Sequence, residues 1–184
     1  NIGCRVLSFE PSTDNCSVLN RNIWLNDLSD RITAFNIALH REMIPEYLNM
    51  PRYQPGDSGH AFENVTDGWG NEMIPVFRQG VVGIQVDQLS ADFRQPFPNH
   101  IKIDVDGNEH LIVEGMAKTL LDTRLKSIAI ELNFRDRFEI DSGIMQKIES
   151  AGFKRLTDSE FDNPHRDDMK NYFFIRGADT DADL

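Results

Sequence analysis

The sequence predicts an α/β fold, an open sheet with helices on both faces, and three observations carry that expectation. Apolar runs such as "VLSF", "IKI" and "SIAIEL" read as strands. Stretches with apolar residues at helical spacing lie between them, so strand and helix alternate along most of the chain. Three of the strands end in acids, which puts carboxylates where open α/β sheets hold ligands.

The first strand is "CRVLSFEP", with Val6, Leu7 and Phe9 apolar and Pro11 ending it. Ser12, Thr13 and Asp14 then offer helix caps, and Cys16, Leu19 and Ile23 follow at helical spacing. "RITAFNIAL" reads as a second strand through Ile32, Ala34 and Phe35. From about His40 to Gly80, Pro45, Pro51, Pro55, Gly56, Gly59, Gly68 and Gly70 break any long period, which predicts loops with short hairpin strands. "GVVGIQVDQL" resumes as a strand with a turn, and "HIKIDV" is the next strong strand. A helix then starts at Asn108 as N-cap, with Ile112, Val113, Met116, Ala117, Leu120 and Leu121 forming one continuous core stripe. "LKSIAIEL" is a further strand, and "DSGIMQKIESAGF" a helix capped by Asp141 or Ser142 and stopped by Gly152. "FKRL" and "NYFFIR" close the chain as an antiparallel pair.

At 184 residues and 40% hydrophobic, the chain fits a single domain over residues 1–177, with an acidic, apolar-poor tail over 178–184. A formal net charge of -11 disfavours nucleic acid or an anionic membrane as partner and suits a neutral or cationic small molecule. No run approaches the ~18 apolar residues of a membrane span, and no export signal opens the chain, so a soluble, cytoplasmic protein is expected. Two cysteines, Cys4 and Cys16, make no disulfide or zinc framework and read as free thiols.

The acids at strand ends are Glu10, then Asp104 and Asp106, then Glu131. Such an acid can accept both hydroxyls of a ribose, and Glu10 is placed for that role. It can equally be a loop residue or a helix cap, and Lys102 and Asp104, on one face of their strand, can equally be a mutual pair. Two other motifs fail. "PGDSGH" resembles the nucleophile segment of trypsin-like proteases, but only His40 precedes it and the sheet domain is too small. "DVDGNE" resembles a calcium loop, yet Gly107 as its sixth position would put Lys102 first and Val113 twelfth, and neither ligates calcium.

The ordered segments "VLSFEPS", "FNIAL", "VDQL", "IKIDVDGNEHLIVEGM" and "IAIEL" together resemble the FkbM-type family of S-adenosylmethionine-dependent methyltransferases. The most specific element is Lys102-Ile103-Asp104-Val105-Asp106-Gly107 with Glu109; a common variant has glutamate where Asp106 stands. The resemblance implies a Rossmann-like methyltransferase fold, mostly parallel, with an antiparallel C-terminal strand. It implies S-adenosylmethionine as cofactor and methyl transfer to a hydroxyl of a sugar or polyketide-like small molecule. By position, Glu10 would hold the cofactor ribose, Asn36, Ile37 and Ala38 would pass the adenine, and Asp104 would face the methionine end or the acceptor. The family's first strand and glycine-rich loop would stand before "SFEP" and are missing here, which leaves half of the cofactor cradle and points to truncation or to loss of cofactor binding.

A hydroxyl acceptor needs a base, and Asp104, Glu131 and His60 are the candidates, His60 because imidazole titrates near neutrality. A cation on Asp104, Asp106 and Glu109 could replace the base, although the spacing does not demand a metal. Two rival readings are a non-catalytic α/β binding domain and a carboxylate-metal hydrolase.

Overall fold

The computed structural model of the chain describes residues 3–63, 65, 72–133, 143–156 and 169–177. The apolar run before Pro11 forms β1 (Val6–Phe9), and α1 (Thr13–Leu25) follows. Ser12 caps that helix, its Oγ accepting the Asn15 N–H at 3.4 Å and so using one of the amides a helix start leaves open. β2 (Ile32–Phe35) lies parallel to β1 with Phe9 opposite Phe35, and those two rings stack 5.6 Å apart.

The single strand expected over "RITAFNIAL" is broken after Phe35. The Asn36 amide donates to the carbonyls of Glu10 and Pro11 at 2.9 and 2.8 Å, which turns the chain, and β3 (Ala38–Leu39) joins a different sheet. There β3 pairs parallel with β6 (Phe77–Ile84), which runs antiparallel to β4 (Ile44–Met50), itself antiparallel to β5 (Ala61–Phe62). The middle of the chain is thus more regular than its prolines and glycines predict. β4 pairs along its whole length, from Ile44 opposite Gly83 to Met50 opposite Phe77, because long-range ladder bonds outweigh local breakers.

Beyond Ile84, "VDQL" opens α2 (Val86–Ala91) instead of continuing a strand and turn. Asp87 in its first turn accepts the backbone N–H groups of Lys118 and Thr119 at 2.9 and 2.8 Å, so it caps α4 (Ala117–Leu121) across space. β7 (His100–Ile103) pairs parallel with β8 (Ser127–Asn133), ending with Ile103 opposite Ile130. α5 (Ile144–Ser150) leads into β9 (Phe153–Leu156), with Gly152 just past the C-cap Ala151 as expected. Gly143 is the N-cap of α5, and the expected caps Asp141 and Ser142, like the tail 178–184, lie outside the described residues. β10 (Met169–Arg176) inserts antiparallel between β8 and β9, giving the order β7-β8-β10-β9 and the expected antiparallel last strand.

Two expectations are corrected. Among the described residues three strand pairings are parallel and four antiparallel, in three hydrogen-bonded sheets, so a mostly parallel single sheet is not what forms. The reason is that β4 and β10 each lie between neighbours running the opposite way. The helix expected to run on from Asn108 is two, α3 (Glu109–Glu114) and α4, parted at Gly115 and Met116. A Cβ on Gly115 would collide with the His40 carbonyl oxygen, so the backbone here approaches another segment at a distance only glycine allows. Ile112, Val113, Met116 and Leu120 are buried as predicted, while Ala117 and Leu121 are exposed because the break turns α4 away.

The larger core joins α3, α4, α5 and the sheet that contains β10, with Met116, Leu125, Ile128, Ile130, Ile148 and Phe174 fully enclosed. Each such side chain stabilises the fold by roughly 1.5–3 kcal/mol. A smaller cluster of Ala38, Leu48, Met50, Phe62 and Val81 lies under the β3-β6-β4-β5 sheet. Arg176 closes the larger core: its guanidinium donates to the carbonyls of Leu120, Asp122, Leu125 and Ala151 at 2.6, 3.1, 2.8 and 2.9 Å. It thereby fills acceptors that the ends of α4 and α5 leave open. Among the described residues no helix is long and apolar enough to cross a membrane.

Substituting Gly115→Ala is expected to lower the unfolding free energy in urea by about 2–3 kcal/mol, the range for forcing backbone apart in a packed site. Gly80→Ala, at a position with open space around it, is expected to change it by less than about 1 kcal/mol.

Candidate functional site

Glu10 leaves β1 into a turn that side chains hold rigid. Its Oε1 accepts the Ser12 N–H at 2.8 Å, and Asn36 binds the carbonyls on either side of the Glu10–Pro11 bond. Gln79 on β6 takes the Thr13 N–H at 2.9 Å and donates to the Pro11 carbonyl at 2.8 Å, so the second sheet also grips the turn. The carboxylate is half-buried. Burial pushes its pKa above the ordinary 4.5 and the nearby Asp106 charge adds to this, against the Ser12 N–H, His60 and Asn15.

The segment "PGDSGH" folds over this turn. Arg52 binds the buried Asp57 carboxylate through Nε at 2.9 Å and Nη2 at 2.6 Å, a paired geometry that holds Asp57 below the usual carboxylate range. Asn15 on α1 accepts the Gly56 N–H at 2.7 Å and donates to the Asp57 carbonyl at 3.0 Å. The Gly59 N–H donates to Asp106 Oδ2 at 2.7 Å. His60 is thereby brought close enough for its charge to act on both Glu10 and Asp57. Its Nε2 is buried and has no hydrogen-bond partner among the described residues.

At the end of β7 the charges divide. Lys102 and Asp104 are both exposed and form an ion pair at 2.6 Å, so no charge is buried in that strand. Glu109 is only 2% exposed, and its two oxygens accept the N–H groups of Val105 and Gly107 at 3.1 Å each. That clamp shapes the turn displaying Asp106, whose Gly107 has φ +100, a conformation glycine adopts without strain. Asn108 is at the expected N-cap position, but its side chain donates to the Phe62 carbonyl at 3.0 Å instead of capping α3.

The structure therefore brings Glu10, His60 and Asp106 together. Asp104 directly follows the last residue of β7, whereas Glu131, expected at a strand end, lies inside β8, because β10 carries that ladder on to Asn133. Glu131 accepts the Asn171 amide at 3.2 Å. Asn36 commits its amide to the Glu10 turn, Ile37 packs against the larger core and Ala38 is buried in the smaller one. The sequence reading missed Asn15, Asp57 and Gly59. The only signal for Asp57 and Gly59 is the density of Gly and Asp in "PGDSGH", a rigid loop with no indication of what it covers, and Asn15 reads as an ordinary residue of its helix. Among the described residues no group of three or more His, Cys, Asp or Glu is placed to hold a metal ion.

A mixed α/β domain with acids at the carboxyl ends of parallel strands belongs to the class whose ligands sit at those ends. The chain itself belongs to the methyltransferase FkbM domain family, whose pattern matches residues 1–155. Its fold is similar to the crystal structure of methyltransferase FkbM from Methylobacillus flagellatus KT, with a TM-score of 0.51 at 14% sequence identity. The likeness covers 93% of this chain and 36% of that one, so the chain spans about a third of that protein's length. Among curated proteins, none matches the chain.

A carboxyl whose folded pKa is raised carries a cost in its charged form. That cost is absent below the ordinary value of 4.5 and present in full above the folded value. Glu10→Gln is thus expected to raise the melting temperature at pH 7, with the gain shrinking to nothing as the pH falls through 4.5.

Proposed function

We propose that this chain forms the S-adenosylmethionine-binding part of a methyltransferase that acts on a hydroxyl oxygen of a sugar or polyketide-like small molecule. The observation that carries this reading is Glu10, a half-buried carboxylate at the carboxyl end of a parallel strand in a chain of the FkbM domain family. Its environment fits the cofactor: a carboxylate pushed toward its neutral form by burial gains from two hydroxyl donors, which is what a ribose offers. When bound, S-adenosylmethionine supplies an electrophilic methyl group on sulfur.

The chain's own residues do the rest. Glu10 would hold the ribose, and the segment Asn36 to Ala38 would pass the adenine. Asp104 would face the methionine end or the acceptor. Methyl transfer is an in-line displacement, so orientation supplies much of the acceleration, up to roughly 7–11 kcal/mol. The rigid Glu10 turn suits that demand. Of the three candidate bases, Asp104 is tied to Lys102 and Glu131 takes the Asn171 amide, whereas His60 keeps a buried nitrogen with no partner among the described residues. His60 Nε2 accepts the proton leaving the acceptor hydroxyl.

Titration calorimetry is expected to detect S-adenosylmethionine binding to the intact protein, and Glu10→Ala to weaken it at least about tenfold through lost charged hydrogen bonds. His60→Gln is expected to lower kcat by about a hundredfold or more while cofactor affinity stays within twofold, the usual cost of removing a general base. Absence of binding by the wild-type protein would sink the reading.

A further inference from the structure

We infer that Asp106 is a positioning residue, which sets His60 beside Glu10 by holding the Gly59 N–H, and that Glu109 sets Asp106 in turn. The contacts form one continuous series. Glu109, buried at the start of α3, binds the Val105 and Gly107 amides and fixes the turn between them. Asn108 ties the same turn to the Phe62 carbonyl, two residues beyond His60. Asp106 projects from that turn to Gly59 N at 2.7 Å, and the next residue is His60. On its other side the loop is held by Asn15 and by the Arg52–Asp57 pair.

Two features separate this role from mere loop stabilisation. The Gly59–Asp106 bond joins residues 47 positions apart, and with the Asn108–Phe62 bond it fixes two distant segments against one another on either side of His60. The ring it places has a buried, unpartnered Nε2 among the described residues, an atom whose setting is spent on no structural contact. A charge-assisted hydrogen bond to a backbone amide holds direction as well as distance, which a base needs if it is to meet a proton within hydrogen-bond reach.

The catalytic meaning of this inference rests on the reading of His60 as the base; the geometry is tested without it. In the intact protein free of cofactor, Asp106→Ala is expected to speed solvent exchange of the Gly59 amide by about tenfold, as for one lost hydrogen bond to a charged group. The same variant is expected to shift the His60 Cε1–H resonance. Asp106→Asn, which keeps a carbonyl oxygen for Gly59, is expected to restore both signals to near wild type. Should Asp106→Ala not fold, Asp106→Ser, one atom shorter, takes its place. Unchanged Gly59 exchange with an unmoved His60 resonance in the Ala or Ser variant overturns the inference, and so does an Asn variant that behaves like Ala. Cofactor binding by the wild-type protein reports separately on the proposed function, so either idea can fail without the other.

Discussion

His40 sits with no exposed surface where the β3-β6 ladder, the β5 strand and the α3–α4 junction meet, and the arrangement of all three follows from how it is satisfied. A buried imidazole is costly unless both nitrogens are used. Nε2 lies 3.0 Å from Glu63 Oε2, and Nδ1 lies within 3.4 Å of the Glu42 backbone. The backbone is equally engaged: the His40 N–H donates to the Ile84 carbonyl at 2.8 Å, and the His40 carbonyl faces Gly115. Glu63 takes a left-handed φ of 70 to reach the ring, a strain of about 1–2 kcal/mol that the buried contact offsets. The ring also meets Phe62 edge-on at 5.6 Å, and the Phe62 carbonyl receives Asn108 from the turn that displays Asp106. Through Phe62 and Asn108, His40 is thus linked to the turn that displays Asp106.

The parts of this architecture that sequence reveals are those decided locally. β1, β7, β8 and the closing antiparallel pair follow from short apolar runs, and Ser12 and Gly152 mark helix ends by their own chemistry. What sequence conceals is decided at long range. Nothing near Asn36 announces that its amide will turn a strand, and nothing near Gly115 announces His40 on its far side. β4 forms through prolines because β6 supplies its ladder. The same division holds for the site. Glu10 and His60 are recognisable by residue type and position, but their meeting depends on Asn15, Asp57 and Asp106, joined across 40 or more residues. The charged strand "HIKIDV" is resolved by a short exposed ion pair between Lys102 and Asp104.

Two basic groups on other segments are committed to carboxylates of their own: Lys102 is held by Asp104 and Arg52 by Asp57, each at 2.6 Å. The influences on the Glu10 carboxylate are burial, the Asp106 charge, His60 and a few hydrogen-bond donors. A protein that keeps an acid in such surroundings gives up some stability at neutral pH, a common feature of sites shaped for ligands and not for the fold alone.

The single guanidinium of Arg176 has a bearing on how the protein comes into being. The carbonyls it fills belong to residues 25, 51, 54 and 56 positions earlier in the chain. As synthesis proceeds from the N-terminus, α4 and α5 emerge from the ribosome with those acceptors facing water, and the core beneath them cannot be sealed. Only when residue 176 clears the exit tunnel can the last strand slide between its neighbours and complete the larger sheet. Until then β9 lacks the strand it pairs with and β8 keeps one edge open, so this sheet is completed by the last strand to be made.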